Sequence, residues 1–207
     1  MIAVIDYGIG NLGSVVKALE YLDSEVELTD DAEIIDRADG VILPGVGSFG
    51  EGMNNLHERD LIGVIDEIVA SGKPLLGICL GLQLFMSNSE EAPGVSGLGL
   101  IEGTVKRFDP EKIKKIPHIG WNQVKIQKED SLFLDLNDNS NFYFVHSYFI
   151  KSIKNDIILG QTEYGGINFI SAVSQNNIWG IQCHPEKSGQ VGLKVLKNFS
   201  EVVNKWR

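Results

Sequence analysis

Cysteine is nearly absent from this chain: 207 residues include two, Cys79 and Cys183. Two cannot build a disulfide framework in a protein this long, so stability must come from a packed core. Long apolar runs are missing as well. No stretch approaches the roughly 20 apolar residues a membrane-spanning helix needs. The start of the chain has no basic leader and reads as a strand rather than a signal peptide. Together these absences predict a cytoplasmic protein. Positive charge is in deficit: 18 Lys and Arg against 28 Asp and Glu leave a formal net charge of −10. Such a field repels phosphate backbones and anionic lipid, and no basic stripe interrupts it. The one basic cluster, Lys112, Lys114 and Lys115, reads as a solvated loop. Internal repeats, low-complexity tracts and a clear linker are also lacking. We therefore expect one mixed α/β domain over residues 1–207.

What is present is apolar material patterned in two ways. In the first half, short apolar runs at 2–6, 26–28, 41–43 and 75–78 alternate with helical spacing at 14–22, 61–69 and 80–85. That rhythm predicts a parallel sheet with helices on both faces. In the second half, strand-like runs at 104–108, 121–126, 142–150, 157–164, 169–174 and 178–182 follow one another across short turns. Their connections are too short for crossover helices, so some must be antiparallel. A closing helix is expected over 191–203.

Gly8-Ile9-Gly10-Asn11-Leu12-Gly13 matches the G-x-G-x-x-G outline of a dinucleotide site, with Asp30 some way downstream. The acid at Thr29-Asp30-Asp31 fits only approximately. A tight strand-to-helix turn that needs glycine explains the same residues, and we expect no nucleotide affinity.

A different site is better specified. Leu75-Leu76-Gly77-Ile78-Cys79-Leu80-Gly81-Leu82-Gln83 runs a buried strand through G-x-C-x-G into a helix, the cysteine form of the nucleophile elbow. The sharp turn crowds the residues two places either side of the nucleophile, so both must be small. The sulfur sits at a helix N-terminus, where peptide dipoles favour the thiolate. The backbone N–H of Leu80 points into the same space and can stabilise an oxyanion. A thiolate attacking an amide also needs an acid for the departing nitrogen. His184-Pro185-Glu186 supplies a histidine, and a short loop can return the Glu186 carboxylate to the imidazole to fix its tautomer. Of the other histidines, His57 reads as a surface residue, and His118 and His146 sit in or beside strands without a neighbouring acid. Pro44-Gly45-Val46-Gly47-Ser48-Phe49-Gly50 ends a strand and exposes backbone N–H groups that could line a site. A plain turn into a helix around 53–56 accounts for it equally well.

In this order, these three segments resemble the class I glutamine amidotransferases across the whole chain. The resemblance narrows to glutaminase subunits of imidazole glycerol phosphate synthases through Asp6-Tyr7-Gly8-Ile9-Gly10-Asn11, Pro117-His118-Ile119-Gly120-Trp121-Asn122, Tyr143-Phe144-Val145-His146-Ser147-Tyr148 and residues 182–188. It implies a flavodoxin-like fold with a central, mostly parallel sheet flanked by helices, plus antiparallel strands in the C-terminal half. It further implies that Cys79 forms a glutamyl thioester, His184 shuttles the proton and Glu186 orients His184. Leu80 and the Val46-Gly47 peptide would form an oxyanion hole whose second donor is gated by the partner. Gln83, Glu91, Ser147 and Tyr148 would hold glutamine, with Glu90 adjacent to Glu91. Asn11, Trp121, Asn122, Tyr143 and Lys187 would lie near the interface with a partner. That partner is a TIM-barrel cyclase subunit, joined as a heterodimer. It uses the ammonia to make imidazole glycerol phosphate and an aminoimidazole carboxamide ribotide in histidine biosynthesis. No metal or organic cofactor is implied. The alternative is a paralogous glutaminase feeding another synthase, such as one aminating a sugar nucleotide. One departure is Cys183, where many relatives carry an aromatic residue; strand alternation turns it away from the catalytic face.

Overall fold

The computed structural model describes residues 1–10, 12–151 and 153–206. The elements follow in chain order: β1 (Ile2–Ile5), α1 (Leu12–Tyr21), β2 (Val26–Thr29), α2 (Ala32–Arg37), β3 (Gly40–Leu43), α3 (Phe49–Glu58), α4 (Leu61–Ala70), β4 (Leu75–Ile78) and α5 (Leu80–Leu84). Then come β5 (Met86–Ser89), β6 (Ile101–Arg107), β7 (His118–Ile126), β8 (Ser140–His146), β9 (Tyr148–Lys151), β10 (Ile158–Tyr164), β11 (Ile167–Gln175), β12 (Ile178–Ile181) and α6 (Gly189–Trp206).

Strand alternation explains the layering. On β1, Ile2 and Val4 enter a core with Val15 and Leu19 of α1 and Val195, Phe199 and Val203 of α6. Ala3 and Ile5 enter the opposite core with Ile35, Leu56, Leu61, Ile65 and Ile68 from α2, α3 and α4. A strand apolar on both faces belongs inside a parallel sheet covered by helices. The order β2-β1-β3-β4-β12 is parallel throughout, a doubly wound half of the flavodoxin kind. Beyond β12 the sheet continues through β11, β10, β7 and β8, each pair antiparallel.

The expected run over 142–150 is two strands, not one. The chain breaks at Ser147: β8 pairs with β7, whereas β9 pairs with β6 and β11. The apolar residues run on past the break, so composition did not reveal a change of partner, although burial shifts from every second residue in β8 to the adjacent Phe149 and Ile150 in β9. Two elements were not anticipated. Helix α2 is short and buries only Ile35; its N-cap is Asp31, whose carboxylate accepts from the N–H groups of Glu33 and Ile34. The other is β5, polar in sequence and paired in parallel with β6. Among the described residues, no helix is long and apolar enough to cross a membrane.

Candidate active site

Three chain segments leave the C-terminal ends of three neighbouring parallel strands. Register pairs Leu43 with Gly77 and Ile78 with Ile181, so the residues after β3, β4 and β12 emerge side by side. Such strand ends are where open α/β sheets place their sites. Pro44–Gly47 follows β3, Cys79 follows β4, and Gln182 to Glu186 follow β12. The N–H of Cys79 donates to the Ile181 carbonyl at 2.8 Å, stitching two of the three together.

The elbow is as tight as its glycines require. Cys79 adopts φ 53° and ψ −103°, a conformation L residues rarely hold. A Cβ on Gly77 would lie 2.5 Å from Phe85 Cε2 and 2.7 Å from the Leu82 nitrogen, and one on Gly81 only 1.8 Å from the Leu43 carbonyl oxygen. The N-terminal glycines have a similar use. Gly8 (φ 84°) and Gly10 (φ 115°) form the β1–α1 turn, and a Cβ at Gly8 would meet the Arg59 guanidinium at 2.6 Å. Gly13 lies within α1. The turn presses Gly10 toward the Gly45–Val46 backbone, so the glycines serve close packing beside the site.

His184 Nδ1 lies 2.9 Å from Glu186 Oε1, with both side chains almost wholly buried. A carboxylate can only accept, so Nδ1 carries the hydrogen and Nε2 is the atom free to exchange a proton. Nε2 has no hydrogen-bond partner among the described residues. Burial pulls the imidazole pKa down, but the Cys79 sulfur and the Glu186 carboxylate outweigh it and hold His184 at about 10. The arrangement is that of an imidazolium beside a sulfur. Cys183 lies in the core; burial, then the Glu186 charge, pushes its thiol well up, which leaves it unreactive.

A cavity of about 430 Å³ opens above Cys79, lined among others by Val46, Gly47, Leu80, Gln83, Glu91, Ser147, Tyr148 and Lys187. All four residues expected at glutamine are thus brought together. Glu91 accepts from the Phe49 N–H at 2.8 Å at the cavity wall. Its neighbour Glu90 faces outward, paired with Lys106 at 3.2 Å. Gln83 Nε2 donates to the Tyr148 carbonyl and to Gln182 Oε1, both at 3.0 Å. The oxyanion region is occupied by the protein itself in this form: the Leu80 N–H, expected to face the site, donates to the Gly45 carbonyl at 3.3 Å. That carbonyl segment is held by Tyr7, whose hydroxyl donates to Pro44 O at 2.6 Å. Burial, and then the Cys79 charge, pushes Tyr7 far above its usual pKa, so it stays a donor.

Of the expected interface residues, Trp121 is 59% exposed beside Ile119 at 49%. It meets Tyr143 edge-on across the β7–β8 pair, at 6.2 Å between ring centroids. Lys187 is exposed at the cavity mouth. Asn122 is half-buried and bonded to His118 and to the Glu163 carbonyl. Asn11 lies outside the described residues. Three residues near the site had no assigned role: Gln182, Ser188 and His146. Each stands inside a block that carries the family resemblance, which was the only signal available. Ser188 Oγ donates to the His184 carbonyl at 2.6 Å and accepts from the Tyr143 N–H at 2.9 Å, clamping the histidine loop to β8.

Comparison with known proteins agrees with this geometry. Residues 3–202 match the family model "Glutamine amidotransferase class-I". The chain is 52% identical over 202 residues to the imidazole glycerol phosphate synthase subunit HisH of Moorella thermoacetica, covering 98% of this chain and 95% of that protein. It is 48% identical over 207 residues to the HisH subunit of Bacillus mycoides, covering 100% and 97%. Among solved structures, PurLQS from Thermotoga maritima superposes with a TM-score of 0.76 over 100% of this chain and 98% of that one, at 21% identity, a likeness of fold. This chain belongs to the class I glutamine amidotransferases, in the branch of the imidazole glycerol phosphate synthase HisH subunits.

Proposed function

We propose that the chain works as one domain, the glutaminase subunit of an imidazole glycerol phosphate synthase, with Cys79, His184 and Glu186 as its catalytic triad. The observation that carries this reading is the cavity over Cys79, on a strained elbow whose neighbouring strand end delivers the buried His184–Glu186 pair. The Cys79 thiolate attacks the side-chain amide carbon of glutamine. Imidazolium Nε2–H protonates the departing nitrogen, ammonia leaves, and a glutamyl thioester remains. Water, deprotonated by the now neutral His184, hydrolyses the thioester to glutamate and restores the thiolate. Gln83 Oε1, which takes no hydrogen bond among the described residues, is positioned to accept from the α-ammonium group. Glu91, Ser147 and Tyr148 complete the hold on that end of the substrate.

Leu80 and the Val46–Gly47 peptide supply the oxyanion donors once the Gly45 carbonyl releases the Leu80 N–H. The resting form is therefore slow, and docking of a partner over Val46, Gly47 and Lys187 is the event that rotates this segment. Trp121, Asn122, Tyr143 and Lys187 face that partner, a cyclase subunit of TIM-barrel form joined as a heterodimer in the cytoplasm. Free ammonia protonates in water and loses its nucleophilicity, which is why a docked acceptor is needed. The test is a paired assay. Cys79→Ala should abolish glutamine-dependent turnover of the synthase while leaving turnover on ammonium salts intact. Full glutamine-dependent activity in that variant would end the triad assignment, and co-purification with a different synthase would end the assignment of the cyclase.

A further inference from the structure

One buried polar side chain beside the sulfur has no part in the chemistry described so far. Gln182 is wholly buried, and its Nε2 lies 3.5 Å from Cys79 Sγ in donor geometry. A glutamine amide has a donor end and an acceptor end, and which end faces a neighbour is decided by the surrounding bonds. Here those bonds leave one solution. The Tyr148 carbonyl can only accept, so Gln83 must present its nitrogen to it, at 3.0 Å. The second hydrogen on that nitrogen goes to Gln182 Oε1, also at 3.0 Å. With its oxygen taken by Gln83, Gln182 turns its NH₂ toward Cys79. The Tyr148 carbonyl is itself fixed by His146 Nδ1 at 2.7 Å, which makes Nδ1 the protonated nitrogen and Nε2 an acceptor. His118 Nδ1, 3.0 Å away, must then be the donor, and its Nε2 accepts from Asn122 Nδ2 at 3.3 Å. The Tyr148 carbonyl, which can only accept, orients Gln83 and His146, and through them Gln182 and His118.

We propose that Gln182 is a catalytic residue whose side-chain amide donates a hydrogen bond to the Cys79 sulfur and stabilises the thiolate. Gln83, the Tyr148 carbonyl and His146 act as positioning groups that keep the amide in its donor orientation. This inference rests on Cys79 being the nucleophile. Cys79 is only 5% exposed, so water contributes little to solvating its anion, and a buried anion needs donors. His184 gives its proton away during turnover. An amide cannot, so Gln182 offers the sulfur the same donor in every step. Main-chain anchoring of Gln182 to the Ser171 carbonyl at 2.8 Å fixes the distance.

The test uses two variants of the full chain. Gln182→Met keeps the length without a donor; Gln182→Glu keeps the shape and the acceptor for Gln83 but puts a carboxylate beside the sulfur. The readout is iodoacetamide alkylation of Cys79 against pH, followed by peptide mass spectrometry, with buried Cys183 as the internal control. It is paired with kcat for glutamine and kcat for ammonium salts in the synthase complex. Both variants should need a pH higher by about one unit or more for half-maximal alkylation. Their glutamine kcat should fall roughly ten- to hundredfold, the span a hydrogen bond to a charged group provides, with ammonium turnover unchanged. Should either variant fail to fold, the unaltered chain still decides: a side-chain amide resonance of Gln182 must shift when Cys79 ionises. Variants with the wild-type alkylation profile and a kcat within twofold, or an amide resonance indifferent to Cys79, would overturn the proposal. Wild-type Cys79 that glutamine does not protect from alkylation would instead refute the nucleophile assignment, a separate result.

Discussion

Cys79 holds a backbone conformation that is affordable only because Gly77 and Gly81 let Phe85, Leu82 and the Leu43 carbonyl close around it. The strain points the sulfur at the cavity and, with it, at His184. That histidine gives the clearest prediction at this scale. Its folded pKa of about 10 lies above the ordinary value of 6.5 because Cys79 and Glu186 outweigh burial. Its contribution to stability is therefore complete below about pH 6.5 and fades as pH climbs through about 10. Glu186→Gln removes one of the two charges that raise it. The alkaline limb of the kcat/KM profile for glutamine should move to lower pH, as pH–rate measurements would reveal. An unmoved limb would mean that Glu186 does not set the imidazole.

Elements meet at the active site through a few buried polar clamps. Ser188 is one of them between the histidine loop and β8: its hydroxyl serves the His184 carbonyl and the Tyr143 N–H together, beside the His184 N–H that donates to the Tyr143 carbonyl at 2.9 Å. Ser188→Ala takes the acceptor from the Tyr143 N–H and leaves the His184 carbonyl with the Lys187 N–H, at 3.1 Å, alone. Unfolding free energy should drop by about 1–3 kcal/mol, read from a urea titration, and kcat should fall because His184 is less firmly placed. A variant as stable and as active as the parent would show that the turn holds without the clamp. Strand pairing is the other lesson at this scale. Ser147 divides β8 from β9, and the division sends His146 and Tyr148 to the cavity from strands with different partners. The run of apolar residues on both sides of Ser147 could not report it, because strand-forming composition does not say which neighbour a strand pairs with.

Across the whole molecule, two buried histidines make stability depend on pH in the sense opposite to His184. Burial lowers His118 to about 4; burial, and then the charges of His118 and His184, lowers His146 to about 3 despite the Tyr148 carbonyl. The unfolded chain binds protons near pH 6.5 that the native state refuses. Stability should thus decline as pH falls from about 6.5 toward 4, by about 1.4 kcal/mol per pH unit for each excluded proton. Urea unfolding at a series of pH values would check the slope, and His146→Gln should flatten it; an equal slope in that variant would assign the effect elsewhere. The exposed Trp121, packed edge-on against half-buried Tyr143, belongs to the same scale. Trp121→Ala should weaken binding of the cyclase subunit by about 2 kcal/mol or more, measurable by calorimetry. An unchanged Kd would move the interface off this face.

Much of this protein was legible along the chain because local chemistry is written in adjacent residues. The G-x-C-x-G turn, the His-Pro-Glu step and the βα rhythm of the first half each need only their own neighbours, and each appears where expected. The elements that escaped notice, α2 and β5, are short and have little apolar periodicity to reveal them. What only the tertiary structure decided were relations between distant segments. Parallel pairing of β4 with β12 sets Cys79 beside Gln182 and His184, over a hundred positions apart. Packing turned the Leu80 N–H onto the Gly45 carbonyl and aimed the Gln182 amide at the sulfur. The direction of a hydrogen bond depends on which partner arrives from elsewhere in the chain, and a one-dimensional pattern carries no record of that.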